Sequence, residues 1–259
     1  MGKHSKLSRS ISGSVAFITG AASGMGRATA LLFADEGASV ALVDINEQAL
    51  QALTQQINEE GGKALAVPTD CSNKAAVMEA VQHSAKHFGR MDILVNNAGF
   101  ALPGAFGEED FDSSWEKSLA VMVNAQQWAV RAALPWLHKA EHPRIVNIAS
   151  TEALGATNYN SAYVVAKHAS LGLTRALAVE LGKAGITVNC VCPGPIETGI
   201  TQGIPDQDKQ TFANRRTALR RYGQPEEVAH ITLSLVLPAA SFITGATIPV
   251  DGGLTIRNA

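Results

Sequence analysis

The chain of 259 residues predicts a single α/β domain: a doubly wound parallel sheet of about seven strands with helices on both faces. Three observations carry that expectation. Short, almost wholly apolar runs recur along the chain, as strands covered on both faces require. Each of the first five is followed by a stretch with helical spacing of its apolar residues. No internal repeat, low-complexity block or Pro/Ser-rich linker divides the chain, and a hydrophobic content of 46% over this length suffices for one core.

The elements follow in order. Residues 1–12 read as a basic, polar tail, expected to be mobile, and the domain is taken as 13–259. SVAFITG (14–20) reads as the first strand and GRATALLFADEG (26–37) as the first helix. SVALVD (39–44) is the second strand, and Ala49, Leu50, Leu53 and Ile57 share one face of the helix after it. KALAVPTD (63–70) and a helix over 73–89 come next, then MDILVNNAG (91–99) and one continuous helix over 115–140. PRIVNIAS (143–150) precedes a helix over 161–181, GITVNCVCPG (185–194) is a sixth strand, and ATIPVDGG (246–253) a seventh. Right-handed crossovers between such strands give the doubly wound order.

The connection after the sixth strand is long for a compact domain. It carries Pro195, Gly199, Gly203 and Pro205, with Ile196, Ile200, Ile204 and Phe212 able to cover an apolar ligand. Two readings stay open, a substrate-binding loop at about 195–215 and an ordinary surface helix pair.

A formal charge of −2 and a pI near 6.4 argue against a nucleic-acid partner or an anionic membrane surface. No run approaches the ~18 apolar residues of a membrane span. The N-terminus lacks the apolar core of a secretory signal, and Lys6 stands where myristoylation needs Ser or Thr. A cytoplasmic location is expected. Cys71, Cys190 and Cys192 form no even disulfide framework. Cys190 and Cys192 alternate along a strand and are expected to point in offset directions, unlike a metal-binding pair; no metal is expected.

The first strand runs into TGAASGMG, with Gly20, Gly24 and Gly26 ahead of an apolar helix and Ser23 and Met25 between them. Glycines there permit a tight turn and close approach of backbone to a pyrophosphate, and the helix N-terminus offers N–H groups to phosphate. Asp44, at the end of the second strand, can accept from both adenosine ribose hydroxyls and would repel a 2′-phosphate. Ile45 and Asn46 follow it with no cation, so NAD is favoured over NADP. Asp44 could instead cap the next helix, a role Asn46 could fill equally well. Asp70, with Cys71 beside it, could meet the adenine amino group or cap the helix after Ser72. Asn96, Asn97, Ala98 and Gly99 could bind neighbouring backbone and leave room for a ribose, or be only a turn.

Tyr163 and Lys167 are four residues apart on one helix, so phenol and ammonium share a face. A free tyrosine is a poor base near neutrality. A neighbouring cation favours its phenolate, and Ser150, thirteen residues earlier, could hold a reacting oxygen. An ordinary helix with a surface lysine is the plain alternative for that pair alone.

In this order and spacing the motifs TGAASGMG, Asp44, Asp70, NNAG, Asn124, Ser150, Tyr163-x-x-x-Lys167 and Pro193-Gly194 leading to Thr198 closely resemble the short-chain dehydrogenase/reductase family over about residues 13–255. The resemblance implies a Rossmann fold and a catalytic tetrad of Asn124, Ser150, Tyr163 and Lys167 without a gap. Tyr163 would be the acid/base, Ser150 would orient the reacting oxygen, and Lys167 would lower the tyrosine pKa and bind the nicotinamide ribose. The matching asparagine bends its helix and holds a water linking the lysine to solvent. Pro193, Gly194, Ile196 and Thr198 match the segment that holds nicotinamide and pyrophosphate. Family members commonly form homotetramers, here through the 115–138 and 161–182 helices and the C-terminal segment.

The leading expectation is an NAD-dependent dehydrogenase acting on a secondary alcohol or its ketone, of cyclic, terpenoid, steroid-like or aryl type. Phe100, Thr151, Glu152, Ala153, Leu154, Tyr159 and Pro195 are expected around the substrate, with Glu152 able to read a polar group. The alternatives are an NADP-dependent ketoacyl-type reductase and a non-catalytic NAD-binding sensor or scaffold.

Overall fold

Seven strands form one all-parallel sheet in a computed structural model that describes residues 4 and 6–258. They are β1 (Val15–Thr19), β2 (Ser39–Asp44), β3 (Lys63–Pro68), β4 (Ile93–Asn96), β5 (Arg144–Ile148), β6 (Thr187–Pro193) and β7 (Thr247–Val250). Their spatial order is β3-β2-β1-β4-β5-β6-β7. The order reverses beside β1, where Ala16 pairs with Val40 on one side and Ile93 on the other. A crevice for a ligand opens beyond the carboxyl ends of the strands at such a reversal.

Eight α-helices cover the sheet: α1 (Gly24–Asp35), α2 (Glu47–Glu59), α3 (Lys74–Phe88), α4 (Phe111–Leu119), α5 (Ala125–Leu137), α6 (Ser161–Leu181), α7 (Asp206–Arg216) and α8 (Pro225–Val236). The pleat sends alternate side chains to opposite layers. Phe17 joins Val81, Ala133 and Leu181 against α3, α5 and α6. Ala16 and Ile18 join Phe33, Leu50 and Leu235 against α1, α2 and α8. Within the stretch read as a tail, Ile11 is buried in the second layer and the Ala239 amide donates to Ser8 O at 2.9 Å. Residues 1–3 and 5 of that stretch lie outside the described residues.

Two sequence expectations change, and one left open resolves. The continuous helix over 115–140 is broken into α4, a π-helical turn at Ala120–Asn124, and α5. A π turn frees backbone groups that an α-helix would pair. Here Met122 O accepts from Ser170 Oγ of α6 at 3.0 Å, and Ser170 Oγ accepts from Gln126 Nε2 at 3.0 Å. The apolar spacing continues through the extra residue and cannot reveal it. The connection after β6 is not a loop alone: it holds α7 and leads into α8, as its helix-pair reading has it, with Pro225 at the first turn of α8 and the reciprocal Gln224–Glu227 capping box marking its start. Lastly, Cys190 and Cys192 do not diverge. Residues two apart on a strand share a face, and their Sγ atoms lie 3.9 Å apart in the interior.

A buried side-chain chain ties the centre of the sheet to α6. Asn96 Nδ2 donates to Asn147 Oδ1 at 2.8 Å, Asn147 Nδ2 to Thr174 Oγ1 at 2.9 Å, and Thr174 Oγ1 to Ser170 O at 2.9 Å. Asn147 and Thr174 are fully buried, so an unmade bond there cannot be replaced by water. Thr174→Val keeps the shape and strips the acceptor from Asn147. Its urea unfolding should show a loss of about 1–3 kcal/mol, and an unchanged midpoint and slope would show that this chain contributes nothing.

Candidate active site

The turn after β1 is built for close approach. Gly20 has φ +68°, and a Cβ on it would lie 2.8 Å from Asn97 Nδ2 and 2.9 Å from Ala98 Cα. A Cβ on Gly26 would collide with Gly20 O. Asn97 Nδ2 donates to Thr19 O at 2.9 Å and Gly20 O at 3.1 Å, while Thr19 Oγ1 accepts from the amides of Asn97 and Ala98, both at 3.0 Å. NNAG is therefore a brace for the glycine turn as well as a turn itself. Ser23 precedes α1 with no side-chain capping bond, which leaves the first-turn N–H groups of α1, Met25 among them, open to a ligand.

Asp44 holds its carboxylate beside this turn, accepting from the Ala22 amide at 3.1 Å through Oδ2 and the Asn46 amide at 3.0 Å through Oδ1. The cap of α2 is supplied by Asn46, whose Oδ1 accepts from the Ala49 amide at 3.1 Å. Asp44 is thereby released from capping. Ile45 beside it is 72% exposed, an apolar face without a protein neighbour over it. Asp70 does not cap α3, where Asn73 Oδ1 accepts from the Ala76 amide at 3.1 Å; it holds the turn after β3, accepting from the Ser72 amide at 2.8 Å and Ser72 Oγ at 2.7 Å through Oδ1. Cys71 is buried between these acids; burial first, then the Asp44 and Asp70 carboxylates, push its thiol up to about 12. That thiol stays protonated.

The segment after β6 closes the other side. Gly194 donates to Val250 O at 3.0 Å and has no room for a Cβ, which would sit 2.8 Å from Asp251 Cα. Thr198 Cγ2 would lie 3.2 Å from a Cβ on Gly24, so the Pro193–Thr198 segment meets the glycine turn. An open cleft of about 390 Å³ runs between them, lined by Gly24, Arg27, Thr198, Gly199, Gln202 and Lys209. Ile196 is buried and bridges to Gly223. Glycines that a Cβ would overfill, open helix N–H groups and a carboxylate at the end of β2 together fit a dinucleotide.

Beyond β5 and on α6 lie Ser150, Tyr163 and Lys167. Ser150 is the cap residue of a 3-10 turn at Thr151–Ala153, its Oγ accepting from the Glu152 amide at 3.1 Å. Burial pushes the Tyr163 phenol up, the neighbouring Ser150 hydroxyl draws it back, and the Glu152 carboxylate pushes it up again. The expected lowering by Lys167 does not govern the phenol in the protein alone. Lys167 Nζ lies over the ring face, 5.4 Å from its centroid, and donates to Ile148 O at 2.9 Å. It is 3% exposed, and burial lowers its own pKa to about 8, against opposing effects of Cys190 and Cys192.

Asn124 requires a correction. It is exposed at the end of the π turn, whereas Met122 is fully buried. A Cβ on Gly99 would lie 3.4 Å from both Met122 Sδ and Lys167 Nζ. Residues two apart on a helix fall on opposite faces, so Met122 occupies the lysine side and Asn124 cannot share it. The helix does bend there, by its π turn.

Around the mouth, Glu152 is clamped by Thr157, its Oε2 accepting from the Thr157 amide at 2.8 Å and Oε1 from Thr157 Oγ1 at 2.7 Å. Tyr159 is 61% exposed with φ 59°, and Leu154 is 43% exposed. Pro195 O accepts from the Gly223 amide at 2.9 Å. The Gly104 amide donates to Tyr159 O at 2.8 Å, so the loop after NNAG joins this rim. Sequence reading passed over Met122, Thr19 and the Ile148 carbonyl; the two carbonyl-and-hydroxyl roles have no residue-type signal, and a methionine inside an apolar helix reads as core. Among the described residues no group of three His, Cys, Asp or Glu side chains could hold a metal, and no helix is long and apolar enough to cross a membrane.

Known proteins carry the same frame. A family model described as enoyl-(acyl carrier protein) reductase matches residues 20–255. Meso-2,3-butanediol dehydrogenase of Serratia marcescens is 40% identical over 241 residues, 93% of this chain and 94% of that protein. A 7α-hydroxysteroid dehydrogenase solved with NADH and 7-oxo glycochenodeoxycholic acid superposes with a TM-score of 0.91 at 30% identity, covering 97% of this chain and 98% of that one. A blue fluorescent protein from a metagenomic library, solved with NADPH, gives 0.88 at 34% identity over 94% and 98%. With the fold, the glycine turn and Ser150, Tyr163 and Lys167 in place, the chain belongs to the short-chain dehydrogenase/reductase family, whose members here are oxidoreductases of alcohols and ketones.

Proposed function

We propose that the protein is an NAD-dependent dehydrogenase that interconverts a secondary alcohol and its ketone, with Tyr163 as acid/base. The grouping of the Ser150 hydroxyl, the Tyr163 phenol that it acts on, and a buried Lys167 against the Tyr163 ring is the observation that carries this reading. It puts two hydroxyls where one substrate oxygen can meet both. Gly20, Ser23, Gly24, Met25, Gly26, Asp44, Ile45, Asp70, Cys71, Asn97, Ala98, Gly99, Pro193, Gly194, Ile196 and Thr198 would hold the dinucleotide. Bound nicotinamide would supply the hydride acceptor or donor.

In the oxidative direction Tyr163 Oη takes the alcohol proton while Ser150 Oγ holds the same oxygen; in reduction Tyr163 Oη returns it. Lys167 supplies positive charge under the ring, and the positive nicotinamide adds to it. Leu154, Tyr159 and Pro195 are apolar or amphipathic, which suits a cyclic, terpenoid, steroid-like or aryl alcohol, while Glu152 can accept from a polar substituent. The exposed Val165 and Val179 of α6 support self-association as a tetramer, and a cytoplasmic setting suits reduced cysteines.

A non-catalytic NAD-binding protein is the second reading, and the position of Met122 favours it, because the asparagine of the tetrad is missing beside the lysine. Turnover separates them. Over a panel of secondary alcohols followed by NADH absorbance, Tyr163→Phe should lose at least about a hundredfold in kcat, the scale of general acid–base catalysis, and keep NADH affinity within about twofold. A wild type that binds NADH and oxidises no alcohol in the panel would leave the binding-protein reading standing.

Cofactor choice is tested at Asp44. Initial rates should favour NAD over NADP, and Asp44→Ala should weaken NAD and shrink that ratio by at least about tenfold, the loss of about one charged hydrogen bond. An unchanged ratio, or a wild-type preference for NADP, would move the reading to a ketoacyl-type reductase.

The buried lysine leaves a signature without any cofactor. Its pKa is about 8 folded against an ordinary 10.5, so the unfolded chain binds the extra proton between those values. Stability therefore rises with pH through that window. Relative to Lys167→Met, the wild type should gain on the order of 3 kcal/mol between pH 7.5 and about 10.5 in urea unfolding. Parallel pH profiles for the two proteins would show that Lys167 is not desolvated.

A further inference from the structure

The catalytic lysine of this chain has no polar side chain beside it from the helix opposite. Asn124 points its position away, and the fully buried Met122 stands at the lysine side with its Sδ and the Lys167 ammonium flanking the same point above Gly99. We propose that Met122 is a positioning residue that keeps Lys167 dry, closing the asparagine-and-water route from the lysine to solvent. The proposal rests on Tyr163 acting as acid/base.

The surroundings of Lys167 agree element by element. From its own helix comes the Tyr163 ring, 5.4 Å away; from β5 comes the Ile148 carbonyl, 2.9 Å away. From β6 come the Cys190 and Cys192 thiols, which face each other at 3.9 Å. Gly99 offers no side chain, and Met122 closes the π turn's side. No carboxylate acts on the ammonium. Ser170 Oγ donates to Met122 O and accepts from Gln126 Nε2, while Gln126 Oε1 is buried without a partner.

A dry ammonium has two consequences. Its attraction for a phenolate is stronger than it would be across water. It also gives up its proton at lower pH, because burial opposes its charge. Alcohol oxidation needs Tyr163 ionised while Lys167 is still charged, so activity should fall on the alkaline side earlier than for a hydrated lysine. A thioether can fill that space without offering the water a partner.

The test is the pH profile of kcat/KM for oxidation of the best alcohol in the panel, for wild type, M122N, M122A and M122L. M122N supplies an amide and M122A a cavity polar enough on the lysine side to admit water. Both should move the alkaline limb upward by at least about one pH unit, the size of a modest desolvation shift; M122L should keep the wild-type limb. Limbs that coincide in all four proteins would overturn the proposal, as would an M122L limb displaced as far as that of M122N. The second readout needs no turnover: the alkaline gain in stability of each protein over its own Lys167→Met partner. That gain should shrink in M122N and M122A and persist in M122L. If no alcohol is oxidised but the gain behaves so, the acid/base reading fails while the dry lysine stands. An undiminished gain in M122N and M122A sinks the dry lysine itself.

Discussion

Lys167 brings a cation into the interior at 3% exposure, with one hydrogen bond to a backbone carbonyl and no carboxylate to balance it. Removing an ammonium from water costs several kcal/mol even in a relaxed protein. A fold accepts that only where neighbouring structure leaves the side chain nowhere else to go. Here β5 ends with its Ile148 carbonyl free of a strand partner on that side, α6 crosses above it, and Gly99 leaves the gap that the ammonium fills. The position of Tyr163 follows from the same helix, and the position of Ser150 from the same strand end. The reacting centre is thus the place where an otherwise apolar sheet tolerates one charge.

The dinucleotide side depends on a different constraint, crowding. Gly20 and Gly26 are excluded from carrying side chains because Thr19, Gly20 and Asn97 are laced together across β1 and β4. These are neighbouring strands that are far apart in the chain, paired at the reversal of strand order. Gly99, a continuation of the same NNAG segment, then reaches Lys167. A single four-residue turn therefore braces the glycine turn at one end and reaches the Lys167 pocket at the other, which holds the two in one frame.

Much of this was legible in the sequence. The inner strands were readable because a parallel sheet buries both faces and makes each a nearly plain apolar run; β3 and β7, at the edges and only partly buried, were readable from their short apolar runs alone. Tyr163 and Lys167 were readable from their helical spacing of four residues, and Ser150 from its place in the order of the motifs. The capping by Asn46 and the release of Asp44 follow from residue chemistry next to a helix start. The failures are physical too. Asn124 carried the expected residue type, but a π turn shifts which residue faces α6, and one inserted residue leaves the apolar pattern intact. The thiols of Cys190 and Cys192 were misplaced by neglecting that a strand repeats its faces every second residue.

Around Tyr163 the charges oppose each other: Glu152 raises its pKa from the mouth while Lys167 stands beneath the ring. In the protein alone burial and Glu152 win, and the phenol is kept neutral, the form suited to giving a proton to a carbonyl. Oxidation needs the opposite state, which additional positive charge beside the phenol would favour. A dry lysine strengthens this dependence, because with little water to screen it each charge added or withdrawn counts for more. The direction in which such a site runs would then be set less by Tyr163 itself than by which charges share its pocket, the Glu152 carboxylate and the Lys167 ammonium among them.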